Sequence, residues 1–354
     1  MYVCKAVDAD SPTVATQVRW IASLASKPGI GRVTVLTGRA GRADLPANVE
    51  VRAFGGARWP GTIAGFLAQA TRIRRRDVDF FFVAQGGPYP ALLLPWKLGL
   101  RRPLYQWKAQ PHVSARMAFY ARWCDDLVFT ATPGSFPADA KPGGVVVVGH
   151  GIDTDLFRPI ASSADGRPVR DLVAVGRVSP IKRLEVVLEA MARCRRDHGL
   201  TPTLDVVGPV AGEVHRAHLE EVVAEQGLAE HVRFLGTVAH DDVPELLAGY
   251  RAAVNFSDTA FDKAAGEAMA CGVPVVTTNP CTLEMLPPDL APLLGAGRDD
   301  VDDHARALAE VLRWDAGARA EAARRLRETI VASHGLDSLF DKILRAIDDD
   351  LAPG

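Results

Sequence analysis

"LVAVGRVSPIKRLEVVLEAM", Leu172 to Met191, changes its period partway along. Up to Val178 it is a short apolar run of the kind that forms a strand. Beyond Pro180, Leu184, Val187, Leu188 and Met191 recur at helical spacing and give an amphipathic helix. A strand that feeds a helix is one βα unit, and the rest of the chain repeats the rhythm. Downstream come "TLDVVG" (203–208), "VRFLG" (232–236), "AAVNFS" (252–257) and "PVVTTN" (274–279). Upstream, strands are expected after the N-terminal "MYVCKAV" at Val33–Thr37, Val49–Phe54, Phe80–Ala84, Leu104–Trp107, Leu127–Thr130 and Val145–Val148. Helices are expected at Thr13–Ser26 and Val113–Cys124 between them. Strands alternating with helices imply parallel sheets covered on both faces.

The 354 residues exceed one ordinary core and suggest two domains. "FRPIASSADGRPVR", polar and rich in Pro, Gly and Ser, reads as a linker near 157–170. The expected division is 1–157, 158–335 and a C-terminal helix at 336–354. The two main parts are read as doubly wound α/β domains facing each other across a cleft. Ligands of such sheets bind beyond the carboxyl ends of the strands.

Composition narrows the function. At 48% hydrophobic and 24% charged, with a formal net charge of −2, the chain lacks the basic excess of a polyanion binder. It shows neither a signal-peptide pattern nor a membrane-spanning run, so a cytoplasmic location is expected. Five scattered cysteines, with no C-x-x-C pair, read as reduced buried thiols. The first strand leads into "DADSPTVATQ" rather than G-x-G-x-x-G, which argues against a nicotinamide-dependent dehydrogenase.

Two stretches carry the chemistry. In "VGRVSPIKR", Arg177 and Lys182 sit on a loop entering a helix, where two cations and free helix amides suit a phosphate. The alternative is a pair of solvated basic residues. In "FDKAAGEAMACGVPVVTTN" (261–279), Glu267 falls one to two turns into a helix of small residues. A carboxylate held there can accept both hydroxyls of a ribose; a surface glutamate is the plainer reading.

These stretches, with "GHGIDTDLFRP", "VRFLGTV" and "EAMACGVPVVTT", together resemble the retaining GT-B fold glycosyltransferases of family 4 over most of residues 149–278. The first half shares only the rhythm. The resemblance implies that a sugar moves from a nucleoside diphosphate to an acceptor hydroxyl with retention and without a catalytic metal or other cofactor. It also implies a C-terminal helix that returns to the first domain. By that resemblance Arg177 and Lys182 stabilise the leaving diphosphate, and Glu267, the second glutamate of E-x7-E, holds the ribose. Phe261, Asp262, Lys263 and Val238 join the donor site. Thr259 stands where the first glutamate belongs, with Asp258 and Asp262 nearby but out of register.

Asp10, His112 and His150 are candidate sugar or acceptor contacts. Of two D-x-D triplets, Asp8–Asp10 ends the first strand, and in Asp153–Asp155 the first aspartate reads as a turn cap. The "RIRRR" run, Arg72 to Arg76, reads as a solvated helix end, with weak peripheral membrane contact as the other reading. Two alternatives to a transferase stay open: a nucleotide-sugar epimerase, which would turn over donor alone, and an inactive sugar-nucleotide binder, which Thr259 favours.

Overall fold

The computed structural model describes residues 1–11, 14–55, 59–84, 87–160 and 170–352, with backbone only at 59 and 60. Thr13 and residues 161–169, which make up most of the expected linker, lie outside them. The chain divides into two compact units, Met1–Gly151 with Leu336–Gly354, and Ile152–Gly335.

The first unit is built on strands β1 (Tyr2–Val7), β2 (Val33–Ala40), β3 (Val49–Ala53), β4 (Phe81–Ala84), β5 (Leu104–Trp107), β6 (Leu127–Thr130) and β7 (Val145–Val147). Its helices are α1 (Ala15–Ser26), α2 (Trp59–Ala70), α3 (Tyr89–Leu100) and α4 (Ala115–Trp123). All strand pairs are parallel, in the order β3-β2-β1-β4-β5-β6-β7. Successive connections run outward from β1 in one direction and, after β3, outward from β4 in the other. The two faces divide the core by alternation. Val3, Phe81, Val83 and Leu104 join Phe54, Phe66 and Leu93 on one side. Tyr2 and Phe82 pack ring against ring, tilted at 34°, toward the other.

The second unit repeats the plan with β8 (Arg170–Val175), α5 (Leu184–His198), β9 (Leu204–Val207), α6 (Glu213–Glu225), β10 (Val232–Gly236), α7 (Val243–Leu247), β11 (Tyr250–Asn255), α8 (Lys263–Ala270) and β12 (Val275–Thr277). Then follow α9 (Pro280–Leu283), α10 (Ala291–Leu294), α11 (Val301–Arg313) and α12 (Ala316–His334). Its five parallel strands are ordered β10-β9-β8-β11-β12. The predicted stripe of α5, Leu184, Val187, Leu188 and Met191, is buried, and α11 packs against that helix. The direction of winding reverses between β8 and β11, and the crevice at such a switch point is where open α/β sheets take ligands.

The last helix, α13 (Leu336–Leu351), belongs to the first unit. It buries Leu339, Phe340, Ile343 and Ile347. The Phe340 ring meets Trp20 edge-on at 5.9 Å and Phe82 at 6.1 Å. The Tyr105 hydroxyl donates to Asp350 at 2.8 Å and ties down the final turn.

Candidate functional site

The switch point of the second sheet gathers the loops after β8 and β11. Gly176, just beyond β8, has φ +135°, and a Cβ there would lie 2.8 Å from the Nζ and Cε of Lys182. Only glycine gives both that backbone and room for the lysine to cross it. Lys182 closes a short 3-10 turn, Pro180–Lys182, and its ammonium donates to Oδ2 of Asp262. Asn255, the last residue of β11, donates to the same oxygen at 2.9 Å, and the Ser257 hydroxyl donates to Oδ1 of Asn255 at 2.9 Å. The other Asp262 oxygen accepts the Ala264 amide at 3.1 Å and caps α8.

Burial raises the Asp262 carboxyl, but the Lys182 charge and the hydrogen bonds of Lys182, Asn255 and Ser257 outweigh it, so it stays ionised below its ordinary value. Arg177 is exposed at the same strand end, with no acidic partner among the described residues. A narrow cavity there is lined by Gly176, Arg177, Lys182, Val254, Asn255 and Phe256. Two cations therefore stand at one rim, one clamped by a buried aspartate and one open to solvent.

Glu267 is 5% exposed, one turn into α8. Its Oε1 takes the Lys263 ammonium at 2.7 Å and His240 Nε2 at 2.8 Å. Burial raises its carboxyl, and Lys263 and His240 together bring it below its ordinary value. His240 comes from the loop after β10, and its ring meets Phe157 edge-on at 5.0 Å. The sequence reading stopped two residues short of it, at the half-buried Val238. A histidine in "VAHDD" has no local signature, because its partner Glu267 lies 27 residues on.

The loop after β11 is held from below. Asn279, fully buried after β12, donates to the carbonyls of Ser257 at 3.0 Å and Thr259 at 2.9 Å, and its own Oδ1 takes the amide of Thr282 at 2.9 Å. The Thr259 hydroxyl donates to the Ala260 carbonyl at 2.8 Å. Asp258 is exposed and paired with Arg298 at 2.5 Å. Phe261 is buried with its ring stacked on His334 at 4.5 Å. The structure thus brings Arg177, Lys182, Asp262, Thr259 and Glu267 to one edge of one sheet, and directs Asp258 to Arg298.

The remaining residues belong to the first unit. Asp10 follows β1 and takes two donors from the Arg42 Nε and Nη2 groups. His112 is exposed beyond β5. His150 sits beyond β7, edge-on to Trp107 at 5.1 Å. All three lie at the carboxyl edge of that sheet. Asp153 accepts the amide of Leu156 at 3.0 Å and caps a turn. Arg72, Arg74, Arg75 and Arg76 are exposed around a buried Ile73. Among the described residues no three His, Cys, Asp or Glu side chains gather as a metal site, and no helix is long and apolar enough to cross a membrane.

A doubly wound sheet whose switch point carries two cations, a capped helix and a buried carboxylate defines an α/β protein equipped for an anionic ligand. Residues 169–313 match the sequence model of the family described as Glycosyl transferases group 1. A D-inositol 3-phosphate glycosyltransferase of Salinispora arenicola is 39% identical over 159 residues, covering 39% of this chain and 35% of that protein. The protein of the same name from Mycobacterium marinum is 32% identical over 226 residues, covering 59% and 47%. The chain spans less than half the length of these curated relatives. Among solved structures, Anabaena Alr3699/HepE in complex with UDP-glucose superposes with a TM-score of 0.75 at 17% identity, covering 99% of this chain and all of that one. Sucrose-phosphate synthase of Thermosynechococcus elongatus gives 0.75 at 17%, covering 99% and 98%. Residues 169–313 thus resemble the group 1 glycosyltransferases, and the chain as a whole has the GT-B fold of the solved structures it superposes on.

Proposed function

We propose that the protein transfers a sugar from a nucleoside diphosphate to an acceptor hydroxyl, with retention of configuration and no catalytic metal. The carrying observation is the pairing, at one switch point, of two cations after β8 with the buried Glu267 after β11. Arg177 and Lys182 face the diphosphate. As the glycosidic C–O bond breaks, negative charge grows on the phosphate oxygen, and cations already fixed in place meet it without reorganising. Asp262 and Asn255 preset Lys182 for that task, since a tethered ammonium loses little freedom on meeting the phosphate. Glu267, held through Oε1, offers Oε2 to the ribose hydroxyls. The amides of Phe261, Asp262 and Lys263 at the start of α8 serve the phosphate and sugar, and Val238 flanks the nucleotide. The leaving phosphate takes the acceptor proton, so no protein nucleophile is required.

In this reading the second unit binds the donor and the first, with Asp10, His112 and His150 at its strand ends, binds the acceptor. Support for a uridine donor comes from Anabaena Alr3699/HepE, whose structure contains UDP-glucose. A second reading, an inactive sugar-nucleotide binder, draws on Thr259, whose short neutral hydroxyl is spent on the neighbouring carbonyl.

The deciding experiment is a mass-spectrometric screen of UDP-, GDP-, ADP- and dTDP-sugars for hydrolysis and transfer. Turnover of one nucleotide class is expected. Arg177→Ala and Lys182→Ala should lower kcat more than they raise KM, because the diphosphate carries more charge in the transition state than before it. Tight nucleotide binding with no turnover on any donor would favour the inactive binder. Isomerised donor without an acceptor would identify an epimerase.

A further inference from the structure

At the amino ends of β11 and β12, opposite the edge that carries the candidate site, the second unit has a groove of about 840 Å³. That is within the range of roughly 300–1,000 Å³ typical of small-molecule sites. Its wall is apolar, formed by Tyr250, Val273 and Pro274 from the sheet side and Ala320, Ala323 and Val331 from α12. The core-facing stripe of α12 is a different one, Ala322, Leu326 and Ile330. The groove is therefore lined by a second face of α12.

Charge distinguishes it from an ordinary surface furrow. Four arginines line it, and Glu328 is the one carboxylate among the lining residues. Arg324 is neutralised by Glu321 at 2.6 Å and Glu328 at 2.5 Å. Arg327 spends its donors on the carbonyls of Phe157, Ala270 and Thr154. Arg251 and Arg319 remain. Arg251 donates from Nη2 to the neutral carbonyls of Leu312 and Trp314, and its buried Nε has no partner among the described residues. Arg319 forms no ion pair among the described residues. Burial first, and the charge of Arg251 second, make Arg319 easier to deprotonate than an ordinary arginine. Asp315 opposes this, but its side chain caps α12 by accepting the Ala318 amide at 2.8 Å. Arg251 and Arg319 thus line one groove, and neither forms an ion pair among the described residues.

We infer that this groove binds an anionic amphiphile, a phosphate, sulfate or carboxylate head held by Arg251 and Arg319 with its apolar tail laid against Tyr250, Val273, Pro274 and the alanine face of α12. Guanidinium groups match such heads with paired N–H donors. The tail replaces water on a wall that the described residues leave uncovered, at about 25 cal/mol per Å² of apolar surface.

The test is isothermal titration of the full chain with monomeric dodecyl phosphate, inorganic phosphate, and phosphatidylglycerol vesicles. Saturable 1:1 binding of dodecyl phosphate is expected, with inorganic phosphate at least about tenfold weaker because it lacks the tail. Arg319→Glu should weaken dodecyl phosphate at least about tenfold. Ala320→Trp, which fills the groove at an exposed position and keeps every charge, should do the same and carries the test if the arginine variant misfolds. Nucleotide binding should be unchanged in both. Vesicle binding that both variants lose would assign the head to a membrane lipid, and monomer binding alone would assign it to a soluble amphiphile. No saturable binding, binding that both variants retain, or inorganic phosphate binding as tightly as dodecyl phosphate would overturn the inference.

Discussion

Glu267 holds two basic side chains with one oxygen, Oε1, and in the proposed function its other oxygen meets the ribose. Replacing it with glutamine keeps the shape and removes the charge. Glu267→Gln should weaken nucleoside diphosphate binding at least about tenfold by calorimetry, since charge-assisted hydrogen bonds contribute about 1.5–3 kcal/mol each. Parent-like affinity would remove Glu267 from the ribose site. His240→Ala should raise KM while leaving kcat nearly unchanged, because His240 contacts the Glu267 carboxylate and in the proposed function acts on the ribose end alone.

Asp262 and Glu267 both have folded-state values below their ordinary ones. They therefore stabilise the fold above the ordinary carboxylate range, and that contribution is lost as pH falls through their depressed values. Urea midpoints measured from pH 7 downward should drop steeply below about pH 4. In Asp262→Asn the slope should be shallower, and an unchanged slope would show that the Lys182 pair carries no linked stability. Glu267 was legible as a charge in a tightly packed stretch, and Asp262 only through the family resemblance. Their partners were not, because Lys182 is 80 residues from Asp262 and His240 is 27 from Glu267, distances that only the parallel sheet closes.

Among the elements, the loops at the ends of β8 and β11 decide what the site can do. The sequence reading found both through the change from strand to helix period, and the observed strands agree with it to within a residue or two at most boundaries. Short pieces such as α7, α9 and α10 were missed. Each is only one turn or so, too short for a periodic signal, and is set by tertiary packing. Asn279 was read as the end of a strand motif, yet it clamps the Thr259 loop by donating to two of its carbonyls. Asn279→Ala should loosen that loop and lower kcat/KM at least about tenfold, with Asn279→Asp failing to rescue because a carboxylate cannot donate. Thr259→Glu probes the same loop. If Thr259 selects a donor sugar lacking an ordinary hydroxyl, the variant should shift preference toward glucose, N-acetylglucosamine or mannose nucleotides in the donor panel. An ordinary hexose preference in the parent that the variant leaves untouched would sink that idea.

For the molecule as a whole, the two-part α/β plan followed from alternating periods, but the strand orders did not. Period reports that a segment is a strand and is silent about its neighbours, which depend on chain crossovers. The return of the C-terminal helix came from the family resemblance, not from any local signal. Phe340→Ala should cost the first unit about 3–5 kcal/mol, since the ring is fully buried against Trp20 and Phe82. Urea unfolding followed by tryptophan fluorescence should show this as a transition at lower denaturant. Nucleotide binding should persist below that transition.

The path of α13 also bears on how the chain is made. Synthesis runs from the amino end, and domains generally fold as they emerge. Here the residues of the second unit, ending at Gly335, are all available before the helix that covers Trp20 and Phe82 has been translated. The unit begun first is therefore completed by a helix made after the second unit, and its aromatic sheet face is expected to stay uncovered until that helix emerges. We predict that nascent chains arrested with residues 1–335 outside the ribosome resist protease through the second unit and are cut in the first. Extending the exposed chain through Leu351 should protect both, and equal protection at the two lengths would show that the first unit closes without its last helix.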